Sequence, residues 1–292
     1  MSILLKSKKR RLLAWDSSSK SGVVIALEWS LGSKSGWAGV KKVGELALNV
    51  DAAHSEKLLW GVDQVLTAAN WRPDEVDVFA VGIGPGSFTG LRIGMTTART
   101  LAHTLKKPLI GVSSLAALAR PVAVQLIEYK GDDQKLLRPW VIASTDACKG
   151  ELFALWGNAR TVRDCVVLAS GDRSGLWKRG AEEQVLSPGS LIQHMRRKLS
   201  NSKIATGWCV VGEGRHRYTD VWDQLPQGKR IESAGIEFDQ VQADALGQLA
   251  WEADQAGLAG DPLQLLPRYL RASDAEIKLK AGLLQPGPTR GN

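Results

Sequence analysis

Residues 84–94 read Gly-Pro-Gly-Ser-Phe-Thr-Gly-Leu-Arg-Ile-Gly and join an apolar run at 78–81 to a helix-like stretch at 95–105. A glycine-rich turn between a strand and a helix presents backbone N–H groups at the positive end of the helix dipole, where an anion can bind. The same turn can serve only for close packing, because glycine accepts positive φ and close contacts. Both interpretations are open here. The candidate residues for an anion-binding or structural turn are Asp16, Ser17, Gly84, Gly86, Ser87, Thr89 and Gly90.

The common nucleotide-binding motifs do not match this turn. A P-loop requires a lysine followed by Ser or Thr after its last glycine, and no register of the turn supplies that lysine. A dinucleotide fingerprint that starts at Gly84 has Thr89 where its third glycine belongs. The turn alone is therefore a weak indication of a bound nucleotide.

Composition indicates a folded, basic protein. The 292 residues are 44% hydrophobic, which is enough for a core in one large domain or two domains of ordinary size. The net charge of +8 and the sequence pI of about 9.4 suit an acidic partner such as nucleic acid. Part of this charge lies at residues 6–11, which are interpreted either as a solvated tail or as an arm that contacts RNA.

The three cysteines favour a reducing compartment. Cys148, Cys165 and Cys209 are single and widely spaced, so they indicate neither a metal site nor a disulfide framework. No run approaches the roughly 18 apolar residues of a membrane span, and the apolar run at 12–15 is too short for a signal peptide. A cytoplasmic protein without membrane contact is expected.

Hydrophobic periodicity predicts strands that alternate with helices. Strands are predicted at residues 12–15, 23–29, 43–50, 78–81, 108–112, 140–143, 151–156, 162–168 and 208–211. Helices are predicted at 55–69, 95–105, 114–120, 190–199 and 243–256. Because the opening strands are joined by short turns and later strands by helices, this order predicts an α/β fold with mixed sheets.

Several of these patterns, taken in order, resemble the TsaB (YeaZ) family. The resemblance is dense from about residue 12 to 119 and sparser to about 271. The segments that carry it are Asp16-Ser17-Ser18, the helix introduced by His54, the turn at 84–94, Gly-Val-Ser-Ser-Leu at 111–115, Asp146-Ala147 with Glu151, and Leu-Pro-Arg-Tyr-Leu-Arg at 266–271.

The resemblance implies a fold and a division into domains. The implied fold is the actin/hexokinase-like (ASKHA, ribonuclease H-like) fold of two related α/β lobes. An N-terminal lobe with the partner-binding helices would span residues 12–119, and a C-terminal lobe would span 120–270. Residues 1–11 would form a basic tail and residues 281–292 a flexible tail. It is left open whether the late helix at 243–256 packs back on the first lobe.

The function that the resemblance implies is that of a non-catalytic scaffold subunit. It would pair with a TsaD-like catalytic subunit and a TsaE-like ATPase in forming threonylcarbamoyladenosine at the tRNA adenosine beside the anticodon. No cofactor is expected on this subunit alone, whereas ATP and a divalent metal are expected on the partner subunits. The tRNA would be engaged through the complex, and a homodimer of the isolated chain is left open.

The residues agree with a non-catalytic role. Catalytic relatives hold a metal with two histidines four residues apart, but here Leu58 stands four residues after His54. Asp16 occupies the place where ASKHA ATPases hold a metal–phosphate complex, although it can equally satisfy turn N–H groups. Asp146 and Glu151 form a carboxylate pair, but Lys149 between them favours a solvated hairpin over acid/base chemistry. No catalytic residue and no metal ligand is predicted.

The helix at 91–105 carries more apolar surface than one buried side requires. Residues 91, 95, 98, 102 and 105 form one stripe, whereas Ile93 and Leu101 lie off it. The surplus indicates a partner, with two helices from each subunit forming a four-helix contact. The residues predicted to bind the partner are Leu58, Val62, Leu91, Met95, Ala98 and Ala102.

Two enzyme classes are considered as alternatives. An ASKHA-type ATPase or small-molecule kinase would use Asp16 and the glycine turn, but the only late phosphate-binding candidate is the short segment at 210–214. A peptidase is not supported, because no Ser/His/Asp arrangement or zinc pair is present in the sequence.

Overall fold

The first five strands form one mixed sheet. The computed structural model describes residues 9–32, 35–49, 54–128, 139–164, 181–200, 207–225, 230–231, 236–271 and 282. The sheet has the order β3-β2-β1-β4-β5. Its antiparallel pairs are β1–β2 and β2–β3, and its parallel pairs are β1–β4 and β4–β5. The strands are β1 (Lys9–Asp16), β2 (Ser21–Ser30), β3 (Lys41–Asn49), β4 (Val78–Gly84) and β5 (Leu109–Ser113).

The second sheet repeats the arrangement of the first on a smaller scale. Its order is β8-β7-β6-β9, with β6, β7 and β8 antiparallel and β9 parallel to β6. The strands are β6 (Trp140–Asp146), β7 (Leu152–Asn158), β8 (Ala181–Leu186) and β9 (Trp208–Val211). Each sheet thus starts with an antiparallel meander and adds a parallel strand beside its first strand. The predicted α/β fold of two related lobes with mixed sheets is confirmed.

Helices cover the first sheet on both faces. Those in the described ranges are α1 (His54–Ala69), α2 (Phe88–Thr104), α3 (Ser114–Glu128), α4 (Ala159–Arg163), α5 (Pro188–Ser200), α6 (Gly214–Arg217), α7 (Thr219–Trp222) and α8 (Ala243–Gln255). Helix α1 packs on β2 and β3, and α2 packs on β4. Every residue of β4 and β5 is buried, as expected for parallel strands covered on both faces.

Two helices connect the parts of the core. Helix α3 contacts β4 and β5 of the first sheet and β6 and β7 of the second, so the main hydrophobic core is continuous between the sheets. Helix α8 comes from late in the chain but packs on β1, β2 and β5. It approaches closely because Gly247 has no side chain: a Cβ there would lie 2.9 Å from Leu27 Cδ1. A smaller core lies between the second sheet and α5.

The end of α1 follows the sequence prediction. Asn70 has φ of +55°, and the next backbone N–H, from Trp71, donates to Leu66 O at 2.9 Å. This is the geometry of a left-handed residue that ends a helix. Gly is the most common residue at that position, and Asn is also found there. The helix therefore ends where its apolar periodicity ends.

Several elements differ from the prediction: α2 begins at Phe88 rather than at residue 95, α3 continues to Glu128 rather than to residue 120, and β8 was not predicted. Strand β1 begins at Lys9 rather than at residue 12, because the side chains of Lys9, Arg10 and Arg11 find carboxylate partners in Glu28, Asp254 and Glu75. The basic segment is thus part of the sheet from Lys9 onward, and residues 1–8 lie outside the described residues.

The strand predicted at 162–168 is wrong at its start. Residues 159–163 form α4 instead, because Asn158 Oδ1 accepts a hydrogen bond from Arg160 N at 3.1 Å and caps the helix. Residues 165–168 lie outside the described residues.

The predicted division into domains remains a prediction. Its boundary between residues 119 and 120 falls within α3. Of the predicted flexible tail at 281–292, only residue 282 is among the described residues. Within the described part of the chain, no helix combines the length and the apolar character needed to cross a membrane.

Candidate functional site

The glycine turn packs against the segment that follows β1. Ser87 N donates to Ser18 O at 2.7 Å, and Ser17 Oγ donates to Gly90 O at 2.9 Å. A Cβ on Gly86 would lie 2.4 Å from Ser18 O, and one on Gly90 would lie 2.0 Å from Ser17 O. Side chains at these two positions would collide with backbone, so close packing alone accounts for the glycines.

The start of α2 is capped by the turn itself. Ser87 is the N-cap residue, and its Oγ accepts from Gly90 N at 3.3 Å. Gly84 has φ of +94°, a conformation that other residues rarely adopt. Thr89 is exposed near the start of α2. These contacts favour the structural interpretation of the turn over an anion site.

Asp16 is buried and its carboxylate is fully engaged within the chain. Asp16 Oδ1 accepts from Ser18 N at 2.8 Å and from Ser18 Oγ at 2.6 Å, and Oδ2 accepts from Ser114 Oγ at 2.5 Å. Gly82 lies so close that a Cβ there would be 1.9 Å from Oδ2. The carboxylate therefore satisfies a turn and ties β1 to the start of α3, which leaves little access for a metal ion.

No candidate metal centre is present in the described ranges. They contain no group of three or more His, Cys, Asp or Glu side chains that could hold a metal ion. His194 lies near Glu182 and His216 near Asp239, while the side chain of His54 lies outside the described residues. The expectation of no metal on this subunit stays a prediction.

A cleft of about 1290 Å³ lies beside the glycine turn. One wall is formed by residues 18–20, the turn at 85–88 and the start of α3. The opposite wall is formed by residues 145–149 of the β6–β7 hairpin, residues 213–217 around α6, and the late segment 268–271. The predicted structural turn and the predicted carboxylate Asp146 thus face the same cleft.

Asp146 and Glu151, for which a hairpin was favoured over acid/base chemistry, have separate partners. Asp146 Oδ1 accepts from Tyr218 OH at 3.2 Å, and Asp146 Oδ2 lies 3.2 Å from Arg217 Nε. Glu151 lies 3.7 Å from Arg271 Nε. Because each carboxylate has its own partners, the arrangement is that of a hairpin held by ion pairs, with no shared proton site.

The C-terminal segment 260–271 crosses from the first sheet to the second. Gly260 bridges Leu109 of β5, and Arg268 N donates to Ile83 O of β4 at 2.8 Å. At the far end, Arg271 Nη1 donates to the carbonyl oxygen of Ala147 in the β6–β7 hairpin. The segment therefore contacts both sheets and forms part of the cleft.

Glu183 on β8 is the most perturbed titratable group of the described residues. Its side chain is 0% exposed, and Ser113 Oγ donates to its Oε1 at 2.6 Å. Arg268 Nε forms an ion pair with its Oε2 at 2.6 Å, but the angles of this contact are not those of a hydrogen bond. Burial raises the pKa of Glu183 to about 7, against the opposing effects of Arg268 and Ser113. No local pattern in the sequence points to this group, because its partners lie far away along the chain.

An exposed aromatic cluster at the edge of the cleft was also missed. The rings of Phe88 and Tyr269 lie 5.2 Å apart, and the Arg92 guanidinium lies 3.9 Å from the centre of the Phe88 ring. We call Phe88, Arg92 and Tyr269 the aromatic rim. They belong to two segments singled out in the sequence, at 84–94 and 266–271, but only the fold shows that these meet.

The chain is similar to proteins of one family. Residues 48–173 match the family model described as "TsaD: tRNA N6-adenosine threonylcarbamoyltransferase". The chain is 30% identical over 168 residues to the tRNA threonylcarbamoyladenosine biosynthesis protein TsaB of Escherichia coli (strain K12), a match that covers 58% of this chain and 61% of that protein. With the TsaB protein of Haemophilus influenzae the identity is 29%, over 59% of this chain and 64% of that protein. It thus spans less than two thirds of either relative.

A solved structure extends the similarity to the whole fold. The structure described as YeaZ from Pseudomonas aeruginosa aligns with a TM-score of 0.61 at 26% identity, over 89% of this chain and 100% of that one. In sequence and in fold, this chain is thus similar to TsaB (YeaZ) proteins.

The predicted partner-binding residues of this chain are covered by the chain itself. Leu58, Val62, Leu91, Met95, Ala98 and Ala102 are all buried. These side chains are not on the surface of the described chain, because the main apolar stripe of each helix packs on its own sheet, and their role in partner binding stays a prediction.

The exposed apolar residues of the same helices lie elsewhere. On α1, Leu59 and Trp60 are 52% and 56% exposed. On α2, Ile93 and Leu101 are half-buried. On α2, the two residues that lay off the main stripe in the sequence, Ile93 and Leu101, are thus left near the surface. Helix α1 contacts α2.

Proposed function

We propose that this chain is a non-catalytic subunit in the formation of threonylcarbamoyladenosine on tRNA. It would pair with a TsaD-like catalytic subunit and, through the complex, with a TsaE-like ATPase and tRNA. The proposal is supported by the similarity to TsaB proteins, which are named tRNA threonylcarbamoyladenosine biosynthesis proteins, and by the match to the TsaD family model.

One structural observation carries the non-catalytic part of the proposal. Both Asp16 oxygens already accept hydrogen bonds from Ser18 and Ser114 inside the fold, with no cation among these partners. A catalytic metal site needs converging ligands and an open position for substrate. The less favoured alternative, an ASKHA-type ATPase or kinase, would need Asp16 released from these contacts. Under the non-catalytic proposal, ATP and the divalent metal would be bound by the partner subunits.

The partner would dock on the outer faces of α1 and α2. Leu59 and Trp60 are adjacent and more than half exposed, and large exposed apolar side chains that lie together mark interaction sites. A tryptophan is the residue type most often central to an interface. The same surface could be used by a homodimer of the isolated chain, which stays an open prediction, as does a cytoplasmic location.

The docking surface can be tested by capture on an immobilised TsaD-like subunit. Trp60→Ser and Leu59→Ser should each weaken capture, by at least about tenfold if the residues are central to the contact. Leu31→Ser is the matched control, because Leu31 is 43% exposed in the turn after β2 and should keep wild-type capture. Equal capture of all three variants would overturn this docking surface.

The non-catalytic role is tested by reconstitution. tRNA, threonylcarbamoyl adenylate and this chain alone should give no modified tRNA, and addition of the TsaD-like subunit should restore product. Product formed by this chain without the partner would overturn the proposal. ATP turnover by the isolated chain would favour the ATPase alternative.

A further inference from the structure

The aromatic rim is not required by the hydrophobic core. Phe88 is 40% exposed and Tyr269 is 43% exposed, although both lie beside well-packed elements. Phe88 precedes buried Gly90 in α2, and Tyr269 follows the backbone contact of Arg268 with β4. The two rings are held in place by the fold but stay partly exposed, and exposed aromatic side chains that lie together mark interaction sites.

Arg92 supplies a positive charge in the same surface. Its guanidinium stacks on Phe88, and its Nε lies 3.4 Å from Tyr269 OH. In the described part of the chain, no carboxylate pairs with it. An exposed, unneutralised arginine stacked on an aromatic ring can contact both a base and a phosphate.

The charge of the cleft continues this pattern. Lys149, Arg217 and Arg271 line its far wall, and the Arg217 side chain is 63% exposed. Of the acidic residues of the cleft, Asp146 and Asp239 are only 15% and 7% exposed and pair with Arg217 and Arg215, whereas Glu213 is exposed. The exposed charge of the cleft is therefore mainly positive, in line with the net charge of +8.

The size of the cleft favours a chain over a small molecule. Its volume of about 1290 Å³ exceeds the range of about 300–1,000 Å³ that is usual for small-molecule sites. Its cations come from separate elements, so they can follow a backbone with several phosphates. Stacking rings beside such a groove is the usual design for binding single-stranded nucleic acid.

We propose that the aromatic rim and the adjoining cleft bind single-stranded RNA, with a base stacked on Phe88 and Tyr269 and a phosphate at Arg92. The inference rests on the proposed function only for the identity of the RNA, which would be an unpaired loop of the tRNA substrate. The binding itself is a property of this chain.

The test is fluorescence anisotropy with the full chain and a labelled anticodon stem-loop RNA. Phe88→Leu keeps an apolar side chain but removes the ring, and we expect it to raise the Kd for the RNA at least about fivefold. We expect the same increase for Tyr269→Leu. Arg92→Ala should weaken binding and also lower the slope of log Kd against log salt by about 0.7, the value for one phosphate contact on a single strand.

Matched controls separate local from general effects. Arg72→Ala removes the same charge as Arg92→Ala, but from a loop outside the cleft where Arg72 pairs with Asp74, so RNA affinity should stay within about twofold of wild type. Circular dichroism and the unfolding midpoint verify that each variant is folded. Binding of AMP by the full chain measures whether a mononucleotide suffices.

Several outcomes would overturn the inference. They are no RNA binding by wild type at about 50 mM salt, unchanged affinity in both folded ring variants, equal affinity for a fully paired duplex, or AMP binding as tight as the stem-loop. Failure of the proposed function has a different signature. In that case capture by the TsaD-like subunit is absent while the RNA affinity and its dependence on Phe88 remain.

Discussion

Gly90 lies in the first turn of α2, where alanine would ordinarily favour the helix by about 1 kcal/mol. Here a Cβ would lie 2.0 Å from the backbone oxygen of Ser17, which cannot move without displacing the end of β1. We therefore expect Gly90→Ala to lower the free energy of unfolding by at least about 2 kcal/mol. Urea denaturation of the purified variant measures this.

Gly189 provides the matched control for this substitution. It lies in the first turn of α5, and a Cβ there would meet nothing within 4 Å. Gly189→Ala should leave stability unchanged or raise it by up to about 1 kcal/mol. If both variants lost stability equally, the close approach of the glycine turn to β1 would not be the cause.

Glu183 gives the chain a pH-dependent stability with a defined direction. Its pKa rises from 4.5 in the unfolded chain to about 7 in the fold because of burial. The folded state therefore binds more protons between these values, and this stabilising effect is complete below about 4.5 and is lost as pH rises through about 7. The loss amounts to at most about 1.4 kcal/mol per pH unit.

Glu183→Gln should remove this contribution. The difference in unfolding free energy between variant and wild type should rise from pH 4.5 to pH 7 and then become constant, as measured by denaturation at a series of pH values. A difference that stays constant over this window would show that Glu183 titrates normally.

At the scale of the element, helix α2 has one face that is buried in the core and one face that is exposed. Ala98 is 0% exposed, whereas Thr96 on the opposite side is exposed. Ala98→Glu should destabilise the fold by more than about 3 kcal/mol, because the charge would be buried without a partner, while Thr96→Glu should change stability by no more than about 0.5 kcal/mol. Thermal unfolding of both variants tests this, and a stable Ala98→Glu protein would contradict the packing of α2.

The same helix shows what the sequence can and cannot predict. Periodicity correctly located α1 and α2 and their apolar stripes, because spacing of 3.6 residues directly reflects a buried face. It could not tell whether a stripe faces the chain's own sheet or a partner, since both are apolar. The partner-binding residues were therefore placed on the buried stripe, while Leu59 and Trp60 were left out.

Some residues of the candidate site could be predicted from the sequence and others could not. Asp16 and Ser17 were found through the family resemblance and the turn glycines through their local motif, and the structure brings the two segments into direct contact. Glu183 and Tyr269 were not, because their roles depend on partners more than 60 positions away in the sequence, such as Ser113 and Phe88. Local spacing carries no information about such contacts.

At the scale of the whole molecule, Arg268 couples the late segment to both sheets. It lies beside buried Glu183 of β8 while its own backbone is bonded to β4. Arg268→Leu should leave an unpaired buried carboxyl and lower stability by up to about 3 kcal/mol above pH 7, with a smaller loss at pH 5, where Glu183 is protonated.

A double variant identifies the cause of that loss. Arg268→Leu combined with Glu183→Gln should recover most of the stability at pH 8, because no charge is then left buried. Denaturation of the two single variants and the double variant completes the cycle. If the double variant lost the sum of both effects, the two side chains would not be coupled.

Helix α8 has a consequence for the chain while it is still being synthesised. The strands of the first sheet are complete at Ser113, but the helix that covers β1, β2 and β5 begins only at Ala243. At ordinary translation rates of about 5–20 residues per second, roughly 10 s separate the emergence of the two from the ribosome. During that interval Ile25 and Leu27 lack the helix that later packs on them. For that time one face of the first sheet is therefore left without its covering helix, and association with other chains can compete with folding.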